Sequence, residues 1–71
     1  MNYVITSTPT QEMVDNSFET SLDTLRWNNE ETKCIFKYEG SQPDCFSELT
    51  EYTYEEIMIE LAKEEWQPGD M

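Results

Sequence analysis

Sixteen acidic side chains against four basic ones, in a chain of 71 residues, decide most of what this polypeptide can become. At a net charge of −12 the compact state is opposed by its own repulsion. A chain this short has room for one domain, residues 1–71, and its core alone contributes only about 3–5 kcal/mol. That core must come from the large side chains. There are two Trp, four Tyr and three Phe, rings that each bury ~150–250 Å². A deep substrate cleft would compete with the core for the same residues.

The charge is unevenly placed. From Asp44 to Asp70 there are nine acids and only Lys63 as a base, whereas residues 1–43 hold seven acids and Arg26, Lys33 and Lys37. Direct binding to DNA, RNA or an anionic membrane is disfavoured for such a chain. A protein with a basic surface is the favoured partner, including the basic face of a nucleic-acid-binding protein. The plainer reading is that the acids only keep the chain in solution. Met1-Asn2-Tyr3 is not the basic start of a secretory signal, and no run approaches the ~20 apolar residues that span a bilayer. A cytosolic location is therefore expected, with Cys34 and Cys45 as reduced thiols. A bridge between them would close a short loop around Pro43.

Tyr3-Val4-Ile5-Thr6 is a β-type run of branched and aromatic residues. Thr8-Pro9-Thr10-Gln11 suits the start of a short helix over 9–16, with Thr8 as N-cap and Gln11 as its returning partner; an irregular turn suits it as well. Leu22 to Trp27 and Lys33 to Tyr38 read as the two strands of a hairpin over 22–38. In the second, Cys34, Phe36 and Tyr38 share one face and Lys33, Ile35 and Lys37 the other. Asn28-Asn29-Glu30-Glu31 between them is polar and turn-forming. Gly40 to Asp44 reads as a loop.

Thr53-Tyr54-Glu55-Glu56 has the spacing of a capping box, with Tyr52 placed to staple onto Ile57. A helix over 54–65 is expected, stopped by Pro68-Gly69. The fold class that follows is α+β: a small antiparallel β-hairpin or sheet with one C-terminal amphipathic helix packed on it.

At 100° per residue Tyr54, Ile57, Met58 and Leu61 share a helical face and are the expected core contact. Ile59 and Trp66 lie about 120–140° away from Tyr54. Either the N-terminal segment covers them, or they form an exposed patch for a partner, a setting in which Trp is enriched. Opposite the core face, Glu56, Glu60 and Glu64 form a row at ~6 Å per step. The plain reading of the row is a solvated face. The functional reading is a line of negative charge that meets Lys or Arg on another protein, with a spacing loosely like that of successive phosphates. Glu56, Glu60, Glu64, Ile59 and Trp66 are thus the candidate partner-binding residues.

Chemistry for catalysis is sparse. The chain has no His, the commonest general base and metal ligand. Two Cys alone do not make a structural zinc site. Gly40 and Gly69 cannot form a glycine-rich phosphate loop, and no calcium-loop pattern occurs. Cys34 has no His to activate it and falls in a core-like alternation. No catalytic, cofactor or metal residue is assigned, and no enzyme is expected.

Residues 22–66 carry a recognisable pattern: Leu25-Arg26-Trp27-Asn28, then Thr32-Lys33-Cys34-Ile35-Phe36-Lys37-Tyr38-Glu39-Gly40 and Pro43, then Tyr52-Thr53-Tyr54-Glu55-Glu56-Ile57-Met58 with Glu60-Leu61 and Glu65-Trp66. In this pattern the chain resembles short proteins of tailed bacteriophages, including phages of marine cyanobacteria, that have no assigned activity. The resemblance implies a phage setting and no catalytic residue. Two roles are expected from it. One is an accessory protein in the host cytoplasm that binds a basic host or phage protein, inhibiting it or standing in for nucleic acid at its site. The other is a minor virion or decoration component whose hairpin adds to a neighbouring subunit's sheet.

Overall fold

The computed structural model describes residues 1–68. Its elements are strand β1 (Asn2–Thr6), helix α1 (Gln11–Asp15), a 3-10 turn at Leu22–Thr24, strands β2 (Arg26–Trp27) and β3 (Cys34–Tyr38), a 3-10 turn at Asp44–Phe46, and helix α2 (Tyr54–Leu61). The architecture is α+β. The three strands form one antiparallel sheet in the order β1-β3-β2.

β3 sits in the middle and is buried on both sides, which its unbroken run of large residues, Cys34-Ile35-Phe36, allows. Its register places Val4 opposite Phe36 and Ile5 opposite Ile35. Alternation then splits the core in two. On one face Val4, Cys34, Phe36 and Tyr38 pack with Val14, Leu25 and Phe46. Phe46 stacks on Tyr38 with ring centroids 5.2 Å apart and tilts against Phe36 at 5.5 Å. On the other face Tyr3 and Ile35 pack with Ile57 of α2, flanked by Ile5, Tyr52, Leu61 and Trp66. The sheet is therefore covered on both sides, by α1 and the Asp44–Phe46 turn on one and by α2 on the other.

Several boundaries differ from the sequence reading. The first hairpin strand is confined to Arg26–Trp27, because Leu22–Thr24 is a 3-10 turn. There the Ser21 amide donates to Thr24 Oγ1 at 3.3 Å and that hydroxyl donates to the Ser21 carbonyl at 3.0 Å, local bonds that compete with a sheet ladder. The short helix spans 11–15 rather than 9–16, and its cap is Thr10, whose hydroxyl accepts from the Met13 amide at 3.3 Å. Gln11 reaches forward to Asp15 instead of back to Thr8. α2 ends at Leu61 rather than 65. Its last turn has no basic residue, so Glu64 and Glu65 would have met the negative end of the helix dipole. They bond to the β2–β3 loop instead. The Glu65 carbonyl accepts from the Asn29 amide at 3.0 Å, and the Gln67 amide donates to the Trp27 carbonyl at 2.9 Å. Gly69, part of the expected stop signal, lies outside the described residues.

Both outer edges of the sheet are bonded to other parts of the chain. Tyr3 and Tyr52 exchange backbone bonds of 2.9 and 2.8 Å on the β1 side, and Asn28 and Trp66 form a bridge on the β2 side. Among the described residues no helix is long and apolar enough to cross a membrane.

Candidate functional site

α2 begins where the sequence places it. Thr53 Oγ1 accepts from the Glu56 amide at 3.2 Å and Glu56 Oε1 accepts from the Thr53 amide at 3.0 Å, closing the capping box. Tyr52, just before the cap, packs on the cluster that contains Ile57. Two acids in the first turn, Glu55 and Glu56, complement the helix dipole.

The helix is rolled relative to the expected face. Ile57 is fully buried and Leu61 is half-buried, but Tyr54 and Met58, expected in the core, are 53% and 42% exposed. Ile59 is 62% exposed. The buried arc has moved from Tyr54 and Met58 toward Ile57 and Glu60, by roughly half of one 100° residue step. Glu60 can turn toward the protein because two donors await it there. Tyr52 donates its hydroxyl at 3.2 Å and Lys63 its ammonium at 2.5 Å. The outward face of α2 accordingly presents Tyr54, Met58, Ile59 and Ala62 around exposed Glu55.

The acidic row is not one continuous solvated line. Glu56 is exposed and engaged in the cap. Glu60 is held by Lys63 and Tyr52, and these bonds pull its carboxyl below its ordinary value. Glu64 lies beyond the helix. Asn28 Nδ2 reaches its Oε1 at 2.8 Å and Lys33 Nζ its Oε2 at 2.6 Å. The hydrogen bond from Asn28, then that from Lys33, holds the Glu64 carboxyl low, and the same contact raises Lys33. Trp66 is half-buried against Tyr3, Ile35 and Ile57, so it and exposed Ile59 do not form one patch. Trp66 is covered by the sheet and α2, not by the N-terminal segment alone.

Tyr54 and Met58 are the surface residues that sequence reasoning missed. Periodicity gives the width of an apolar arc but not which part of it the sheet takes, and nothing local to 54–61 marks the choice.

The cysteines are both free thiols. Cys34 is buried and donates to the Thr6 carbonyl at 3.4 Å. Burial, and next Glu19, push its thiol up to about 12, which is the opposite of what nucleophile activation needs. Among the described residues no group of three His, Cys, Asp or Glu is placed to hold a metal ion.

No family model, curated protein or solved structure matches this chain. The class that the geometry of the described residues defines is a small α+β sandwich, strongly acidic in composition, with exposed apolar side chains along the outer side of α2.

Proposed function

We propose that the protein is a non-enzymatic accessory protein of phage type that binds a basic protein in the host cytoplasm, inhibiting or redirecting it. The outward face of α2 makes the contact. One observation carries the reading: Tyr54, Met58 and Ile59 stand exposed along an outward arc of about 140° on α2, in a chain with few large apolar side chains to spare. Tyr and Met are enriched in interface centres. Glu55 and Glu56 flank this patch and would pair with Lys or Arg at the rim of the partner's groove. Of the five candidates read from the sequence, Glu56 and Ile59 belong to this surface. Glu60, Glu64 and Trp66 are occupied within the fold, which favours an apolar contact with an acidic rim over a mimic of a phosphate row. The virion role draws less support, because the strand edges it would use are bonded to Tyr52 and to the Trp66 segment.

Affinity capture from host lysate tests the reading with matched variants. A partner held by the wild-type protein is expected to be lost with Met58→Ser plus Ile59→Ser and weakened by moderate salt. It should be retained with Asp15→Asn, on the opposite side of the sheet. Equal capture by all three proteins would refute it.

A further inference from the structure

Two of the four bases, Lys33 and Lys63, are paired to Glu64 and Glu60. Among the described residues the other two, Arg26 and Lys37, form no ion pair, and both line one cavity of about 340 Å³ on the α2 face of the sheet. Their placement follows from the register. Arg26 is opposite Ile35, and Lys37 lies two residues further along β3, so the two are diagonal neighbours on one face, ~7–8 Å apart at the backbone. Placing two cations side by side is unfavourable without an anion between them.

The surroundings hold the pair in place. Arg26 Nε donates to the Gln67 carbonyl at 2.8 Å, and among the described residues its terminal nitrogens make no hydrogen bond. Tyr3 is directly opposite Lys37 across the strands. The Phe18 ring stands 5.9 Å from Lys37 Nζ, and the Phe18 amide donates to the Lys37 carbonyl at 2.9 Å. Tyr3, Phe18 and Ile35 give the cavity apolar walls. Among the described residues Glu19 is the only acid lining it. Its carboxyl is raised by burial, against the opposing effects of Thr24 and Lys37.

We infer that this cavity binds a small monocarboxylate with an apolar body, its carboxylate between Arg26 and Lys37 and its body against Tyr3 and Phe18. With Arg26, Lys37 and Glu19 charged, the described lining carries a net charge of +1 within a chain of −12. One negative charge is accommodated there. A dianion meets Glu19 and the field of the whole protein. The size is that of a small-molecule site. This inference is independent of the α2 contact surface.

The test is amide and side-chain NMR titration of the whole chain with benzoate, benzyl alcohol and phenyl phosphate. Benzoate is expected to give saturable shifts centred on Phe18, Arg26 and Lys37. Benzyl alcohol should give none at equal concentration, and phenyl phosphate weaker ones. Lys37→Gln and Arg26→Gln should each weaken benzoate by about tenfold or more, the loss of one charge-assisted bond. Glu19→Gln should strengthen it, a gain that misfolding cannot imitate. Met58→Ser plus Ile59→Ser should leave it unchanged. Non-saturable shifts, equal response to benzyl alcohol, or benzoate affinity indifferent to Lys37→Gln and Glu19→Gln would overturn the assignment.

Discussion

Asn28 and Glu64 are 36 positions apart in the chain and 2.8 Å apart in space, side-chain nitrogen to carboxylate oxygen. Asn28 is almost wholly buried and spends both ends of its amide. Nδ2 also donates to Thr32 Oγ1 at 2.8 Å, and Oδ1 accepts from the amides of Thr32 and Lys33 at 2.8 and 3.0 Å. One side chain thus shapes the β2–β3 loop, where Glu31 takes a left-handed φ of 58°, and ties the C-terminal segment to it.

Asn28→Ala leaves the amides of Thr32 and Lys33 without their acceptor and Glu64 without one of its donors, and is expected to cost about 2–3 kcal/mol, read from urea unfolding. Asn28→Asp keeps the acceptor for the loop amides but sets a carboxylate against Glu64. Its stability should recover part-way on acidification, whereas that of Asn28→Ala should not.

The two sides of α2 should respond oppositely. Ile57→Ala opens a hole in a fully buried site and is expected to cost about 2–5 kcal/mol, enough to unfold a domain of this size. Tyr54→Ser, Met58→Ser and Ile59→Ser should each stay within about 0.5–1 kcal/mol of wild type. Thermal melts of the four variants decide whether the helix is rolled as described.

Stability should fall in alkali. The folded state holds Cys34 as a neutral thiol up to about 12, against an ordinary value of 9.0. Burial, and then Glu51, also raise the Tyr38 hydroxyl. The unfolded chain therefore releases these protons first, so the stability they support is fully present below pH 9 and drains away as pH rises toward 12. Cys34→Ala should delay the onset of that decline toward the tyrosine range, seen as unfolding free energy against pH.

Thiol labelling should separate the cysteines. Cys45 is half-buried at the edge of the core and Cys34 is fully buried. A thiol reagent at pH 8 should modify Cys45 first and Cys34 at the rate of unfolding, with Cys45→Ser abolishing only the fast phase.

What could be read in advance was what neighbouring residues decide among themselves. The Thr53–Glu56 capping box needs four consecutive residues, and α2 starts where they indicate. The alternation through Cys34, Phe36 and Tyr38 placed β3 and divided its faces. The end of α2 was illegible because residues 28 and 29 set it from across the molecule. Leu22–Thr24 misled because the hydroxyls of Ser21 and Thr24 satisfy the backbone locally. The spacing of Glu56, Glu60 and Glu64 suits a helical row, but α2 ends before Glu64, and the side chains that claim Glu60 and Glu64, Tyr52 and Lys33 among them, lie outside that row. The adjacency of Arg26 and Lys37 is not legible in the sequence, since only the strand register makes them neighbours.

The way Tyr52 and Trp66 close the two flanks of the sheet has a consequence for crowded conditions. Bare strand flanks are templates for fibril growth. Here two tyrosine amides and the bridge at Trp66 occupy the places where a colliding copy would dock, and mutual repulsion keeps copies apart. A nick after Leu61 would release the guard over β2, and it is from that flank that ordered aggregates would be expected to grow.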